Sequence, residues 1–182
     1  MKILGVSGSL RADAYNTRLL AEAAAAAPAG VEVEILDSTA IAELPLYDQD
    51  LDVEGDVPAS VQRLREAWGE ADAILFATPE YNGSVPGGLK NAIDWASRPK
   101  LEAALTNQTV AVVGASTGQF GAIWAQNDLR RILGIAGARV VGEGLPVARA
   151  QEGFSEQLQP QLHEVLQLLV EAAQPVEDGV AA

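Results

Sequence analysis

The 182-residue chain contains no cysteine and a single histidine, His163. Without thiols there is no disulfide framework, thiolate metal site, iron-sulfur cluster or cysteine nucleophile, and one histidine alone makes zinc binding improbable. Positive charge is scarce as well: 12 Lys and Arg stand against 25 Asp and Glu, for a net charge of -13. That balance argues against a nucleic-acid surface or an anionic membrane, both of which need clustered basic residues. Long hydrophobic runs are also missing. Gly, Pro or charge interrupts every apolar stretch before the ~20 residues needed to cross a bilayer. The opening MKILGVSGSL has one Lys before a short apolar run and lacks a long signal-type segment with a cleavage site. These features are read as a mature, cytoplasmic, soluble protein.

What is present is apolar content, 48% of the residues, enough for one chain of this length to bury a substantial core. One domain is expected over residues 1–174, with PVEDGVAA at 175–182 as a flexible tail. Apolar, β-branched runs recur at Ile3 to Val6, Val31 to Leu36, Ala73 to Ala77, Val110 to Val113 and Arg139 to Val141. Helical segments are expected between them at Asn16 to Ala27, Pro58 to Gly69, Gly87 to Ser97 and Ile123 to Gly134, and a last helix from about Ser155 to Ala173. Strand and helix alternating in this way predict a five-stranded α/β fold with a parallel sheet. The runs are nearly continuous in hydrophobicity, as strands covered by helices on both faces should be. In the helix from Gly87, the residues Leu89, Ala92, Ile93 and Ala96, preceded by Val85, fall on one core-facing stripe.

Ligands of open parallel sheets bind outside the carboxyl ends of the strands, where the strand order reverses. The loops after the first, third and fourth strands read SGSLRADAYN, TPEYNGSVPGG and GASTGQFGA, each richer in Gly, Ser, Thr or Asn than its surroundings. The first places Gly8, Ser9, Arg11, Asn16 and Thr17 at a helix N-terminus, where free N–H groups and the helix dipole favour an anion such as phosphate. A plain strand-to-helix turn, with Ser and Asn as caps, is the simpler alternative. Neither the G-x-G-x-x-G order nor a P-loop is present. In the second loop Pro79 and Pro86 stiffen the chain, Gly83, Gly87 and Gly88 permit close backbone approach, and Tyr81 offers a flat face. The third adds the Ser116 and Thr117 hydroxyls beside Gly118. Together the loops suit a phosphate-bearing planar cofactor.

GSLRADAYN, PEYNGSVPGGLKNAIDW and GASTGQFG resemble the signatures of the NADPH-dependent FMN reductase family, flavodoxin-like quinone, azo-compound and chromate reductases, over residues 1 to about 150. The resemblance implies a flavodoxin-like, doubly wound sheet of order 2-1-3-4-5 with FMN across its carboxyl edge. It also implies that Ser9, Arg11, Asn16 and Thr17 hold the FMN phosphate, that Pro79, Glu80, Tyr81, Asn82 and Gly83 line the flavin ring, and that Ser116, Thr117 and Gly118 close the site. Asn82 and Gly83 would favour charge growing on the flavin during reduction. Ala14 stands where many relatives have Ser, which removes a possible phosphate donor. The implied activity is ping-pong hydride transfer from NADPH or NADH through FMN to quinones, free flavin or another small electron acceptor. No catalytic triad or metal is expected. A homodimer or homotetramer through the Gly87 to Ser97 helix is implied too. A flavodoxin-type electron carrier and a non-catalytic flavin-binding module are the rival readings, and the PEYNGSVPGGLKNAIDW stretch favours the reductase.

Other signals carry less. Asp48, Asp50, Asp52, Glu54 and Asp56 imitate a calcium loop, but Val53 and Ala59 stand where such a loop needs Gly and Glu, so a solvated loop is expected. Lys90 and Asp94 form either a local pair or, with Arg11, Glu80 and Tyr81, a network bridging subunits. Trp95 and Trp124 suit either an interface or ordinary packing.

Overall fold

The computed structural model describes residues 1–174; the expected tail at 175–182 lies outside them. Six strands, β1 (Lys2–Ser7), β2 (Glu32–Ile35), β3 (Ala73–Ala77), β4 (Thr109–Ala115), β5 (Arg139–Val140) and β6 (Leu145–Val147), alternate with helices. The α-helices are α1 (Tyr15–Ala25), α2 (Thr39–Ala42), α3 (Ala59–Gly69), α4 (Gly87–Ala96), α5 (Ile123–Ile135) and α6 (Leu158–Ala173). All pairings are parallel, in the order β2-β1-β3-β4-β5, with β6 also on β4. This is the doubly wound, flavodoxin-like arrangement.

Successive strand residues point to opposite faces, so the sheet sorts its side chains by a period of two. Leu4, Val6, Ile74, Phe76, Val110 and Val112 pack with α3, α4 and α5, and Trp68 meets Phe76 edge to face at 5.2 Å. Ile3, Ala73, Leu75, Ala77, Ala111, Val113 and Ala115 pack with α1 and α6. The alanines on that second face let Leu19, Leu20, Leu162 and Leu166 come close. Truncating a large, fully buried side chain such as Phe76 to alanine costs about 3–5 kcal/mol.

Three features depart from the expected pattern. β2 is an edge strand, and Glu32 and Glu34 alternate outward with half-buried Val33 and Ile35, so it is covered on one face only. The fifth strand continues after an interruption: β5 pairs with the start of β4, the chain turns at Gly142 and Gly144 with φ of 68° and 97°, and β6 pairs with the end of β4. Leu-Pro-Val reads as a turn, but Pro146 lacks only an N–H that an edge strand has little use for. The last helix begins at Leu158 rather than Ser155, whose carbonyl accepts the Leu158 N–H.

The segment LPLYDQDL is held against the outer side of α4. Asn91 Nδ2 and Trp95 Nε1 both donate to the Pro45 carbonyl at 2.8 Å, and Asn91 Oδ1 accepts from Tyr47 N–H. Trp95 is thus fully buried packing, whereas Trp124 is half exposed. The acidic series is a largely solvated loop, with Asp48, Asp50, Glu54 and Asp56 exposed; Asp52 pairs with Arg65 at 2.9 Å and Asp48 caps a short turn. No cluster of His, Cys, Asp and Glu suited to a metal occurs among the described residues, and no helix there is long and apolar enough to cross a membrane. His163 Nδ1–H donates to the Ala26 carbonyl, tying α6 to α1.

Candidate cofactor site at the carboxyl edge

β1, β3 and β4 end side by side, and their loops enclose an open cleft of about 190 Å³. Ser9, Arg11, Ala14, Tyr15, Asn16, Pro79, Glu80, Tyr81, Ala115, Ser116 and Thr117 line it. A larger cavity, about 640 Å³ with Lys90, Arg98, Arg131 and Ile135 among its lining, lies between the flanks of α4 and α5 and touches none of these loops.

The loop after β1 is wired internally. Ser7 Oγ accepts from Ser9 N–H and from the Thr17 hydroxyl at 3.1 Å, and Ser9 Oγ accepts from Arg11 N–H. Gly8 sits so close to α4 that a Cβ there would lie 2.9 Å from Leu89 Cδ2. Asn16 is buried and spends its carboxamide on one residue: Nδ2 donates to the Ala115 carbonyl at 3.0 Å and Oδ1 accepts from Ala115 N–H at 2.9 Å. The side chain expected to hold phosphate therefore ties α1 to the end of β4. Thr17 does the same toward Ser7 and does not line the cleft. What is left for an anion is backbone, with the Ser9 hydroxyl and Arg11 beside it. The N–H groups of Tyr15, Asn16 and Thr17, in the first turn of α1, meet no partner among the described residues, as first-turn donors do unless a cap or ligand supplies one. Ala14 is the N-cap residue and offers no side-chain bond. The exposed Arg11 guanidinium lies 5.4 Å from the Tyr15 ring centre.

The loop after β3 has a different construction. Tyr81 and Ser84 exchange backbone hydrogen bonds of 3.1 and 3.2 Å around Asn82 and Gly83, with φ of 53° and 75°. Two successive positive φ values are the mark of a type I′ turn, and Asn-Gly is the dipeptide that prefers it. Asn82 and Gly83 do not line the cleft, and no protein atom lies within 4 Å of a Cβ built on Gly83. Tyr81 is 52% exposed, with its ring at the rim. In the third loop, Ser116 is pinned by backbone bonds to Val147 and Ala150, and the Gly118 carbonyl accepts from Arg149 N–H.

Glu80 turns toward α5, where Oε2 accepts from the N–H groups of Trp124 and Ala125 at 3.0 and 3.2 Å. Lys90 and Asp94 pair within α4 at 2.6 Å. Arg11, Glu80 and Lys90 thus each have a separate partner within the chain. Sequence reasoning passed over Ser7 and Tyr15. The Tyr15 ring centre lies 5.4 and 5.8 Å from the Arg11 and Arg18 guanidinium groups, and only Arg18, at i+3 within α1, was signalled by helical spacing.

Residues 1–152 match the family model described as NADPH-dependent FMN reductase. The chain belongs to that family. It is 42% identical over 178 residues to an NAD(P)H-dependent FMN reductase of Pseudomonas aeruginosa, covering 96% of this chain and 94% of that protein. A quinone reductase of Escherichia coli is 41% identical over 143 residues, covering 79% and 74% of the two chains. Among solved structures, the flavoenzyme NAD(P)H:(acceptor) oxidoreductase of Paracoccus denitrificans superposes with a TM-score of 0.79 at 32% identity, covering 94% of this chain and 98% of that one.

A member of this family is a flavin oxidoreductase that uses FMN, with NAD(P)H as the reductant. The cleft fits such a cofactor on its own evidence: unpartnered first-turn N–H groups and Arg11 suit a phosphate, and beyond them Pro79, the exposed Tyr81, Ser116 and Thr117 border an open cleft.

Proposed function

We propose that the protein is a ping-pong NAD(P)H oxidoreductase whose acceptors are quinones, free flavin or other small electron acceptors. The observation that carries the reading is the unfilled first turn of α1 beside Arg11, opening onto the exposed Tyr81 rim. FMN bound there supplies the two-electron relay between reductant and acceptor. The chain's part is to hold and orient it. Tyr15, Asn16 and Thr17 receive the phosphate through their backbone N–H groups, with Arg11 and Ser9 beside them. Pro79 and Tyr81 support the ring, Ser116 and Thr117 close its far side, and the Asn82–Gly83 turn offers N–H groups to charge that grows on the ring during reduction. An exposed cleft with no covering segment among the described residues leaves one ring face free for nicotinamide and acceptor in turn, which is what a ping-pong cycle needs.

Assembly as a homodimer or homotetramer through α4 goes with this reading, as does a cytoplasmic location where NAD(P)H is available. Its support is the solvent-facing Lys90–Asp94 side of α4, next to exposed Leu101 and Ile135.

The test is to saturate the protein with FMN, add NADPH without oxygen and follow the visible flavin absorbance by stopped flow. Rapid loss of colour, recovered on adding a benzoquinone, with parallel double-reciprocal plots in the steady state, is the expected result. Colour that persists in NADPH would replace this reading with that of an electron carrier.

A further inference from the structure

Helix α5 starts without a cap of its own. Ala122, at the N-cap position, is left-handed with φ 60° and makes no side-chain bond. The bonds a cap would make come from Glu80, 44 positions earlier, whose Oε2 accepts from Trp124 and Ala125 N–H. About one turn further along α5, Asp128 Oδ2 accepts the Ser84 hydroxyl at 2.8 Å. The two contacts bracket the Tyr81–Ser84 turn. Between them neither Tyr81 nor Asn82 makes a side-chain hydrogen bond to any described residue, so the turn is fixed to the protein from its two ends.

We propose that Glu80 is a positioning residue whose carboxylate acts as the remote N-cap of α5 and so sets where the Tyr81–Ser84 turn stands beside the flavin, the carboxylate serving the helix rather than bonding the cofactor. A carboxylate at a helix N-terminus gains two charge-assisted bonds and the favourable end of the helix dipole. Glu80 still lines the cleft, and the same bonds set its charge against the start of α5. They also couple the flavin rim to Phe120 and Trp124, an exposed edge-to-face pair 4.9 Å apart at the start of α5. A displaced rim changes how reactants meet the ring, and misplacement of about 1 Å can cost up to ~100-fold in rate.

The test compares Glu80→Gln, which keeps an oxygen acceptor at the same reach, with Glu80→Ala, which keeps none, and adds Ser84→Ala to release the other end. FMN dissociation constants, the visible circular dichroism of bound FMN, kcat and KM for NADPH, and unfolding midpoints are measured for each. Glu80→Ala is expected to change the dichroism of bound FMN and lower kcat by roughly tenfold, with the FMN dissociation constant moving less than for Arg11→Ala. Glu80→Gln should recover most of both losses, and Ser84→Ala should add to the alanine effect. A large loss of FMN affinity in Glu80→Ala that Gln fails to rescue would make Glu80 a direct cofactor contact. Changed unfolding midpoints with unaltered dichroism and kcat would reduce it to an ordinary structural cap. Either outcome overturns the proposal. Should Glu80→Ala fail to fold, the Gln and Ser84 variants carry the same two readouts.

Discussion

The loops after β1 and β3 face each other across one cleft but are stabilised in opposite ways. In the first, polar side chains are turned inward and spent on the protein: Ser7, Ser9 and Asn16 are buried and bonded to neighbouring backbone or hydroxyls. In the second, the turn residues are exposed and their support comes from α5. A phosphate cradle must be rigid and can be made of backbone N–H groups, so its side chains are free to serve as internal struts. In the proposed cycle two different reactants pass the rim, which has to stay uncovered, and its supports attach at its ends. Loss of a buried strut in the first loop should consequently weaken fold and ligand binding together, whereas loss of an exposed group there should weaken binding alone.

The largest effect is expected from Asn16→Ala, which strips two buried backbone groups of Ala115 of their partners. Each unsatisfied buried group costs about 1–3 kcal/mol, and urea unfolding of the FMN-free protein should show a loss of that order together with weaker FMN binding. Next, Arg11→Ala should weaken FMN by about 1.5–3 kcal/mol, the size of a bond to a charged group, while leaving the unfolding midpoint of the FMN-free protein unchanged; fluorescence titration measures the first and urea the second. Because a Cβ at Gly83 meets nothing, its requirement is conformational. Gly83→Val should cost about 1–2 kcal/mol through the left-handed backbone and disturb flavin binding, whereas Gly83→Asn should be close to wild type. Equal damage from both would mean that space, not φ, governs this position.

A smaller gain is expected from Ala14→Ser. The extended backbone at Ala14 and the free first-turn N–H groups suit a capping hydroxyl, worth about 1 kcal/mol in thermal or urea unfolding of the FMN-free protein. If the hydroxyl served phosphate alone, only the FMN-bound form would gain. The smallest effect belongs to Asp37, beyond β2 and outside the cleft. Thr39 N–H and then the Thr39 hydroxyl hold its carboxyl below the usual value. A lowered folded pKa contributes stability at pH above the unfolded value, and this is lost as pH falls through the folded one. The small difference in urea midpoint between the protein and Asp37→Asn should therefore be present at neutral pH and shrink in strong acid.

Much of this was legible in the chain. The helix stripe through Leu89, Ala92, Ile93 and Ala96 is buried as its spacing implied, and all five apolar runs became strands within a residue or two of their expected limits. Less legible were features that depend on neighbours far away in sequence. The side chain of Asn16 looks like a ligand for phosphate, and only the end of β4, 99 residues on, shows it to be a strut. The sixth strand was hidden because Gly and Pro around Leu145 signal a turn, which the edge of β4 overrode by offering a ladder.

The sequence by itself determined the alternation of strands and helices, the faces they bury, the three polar loops that meet at one edge, and the Asn-Gly turn. These follow from local rules of period, backbone preference and turn chemistry, which act over a few residues. Only the tertiary structure decided which polar groups hold the protein and which are left for a ligand. Glu80, Ser84 and Asn16 each satisfy donors or acceptors on a distant element, and a hydrogen bond spent inside the protein is not available to a cofactor.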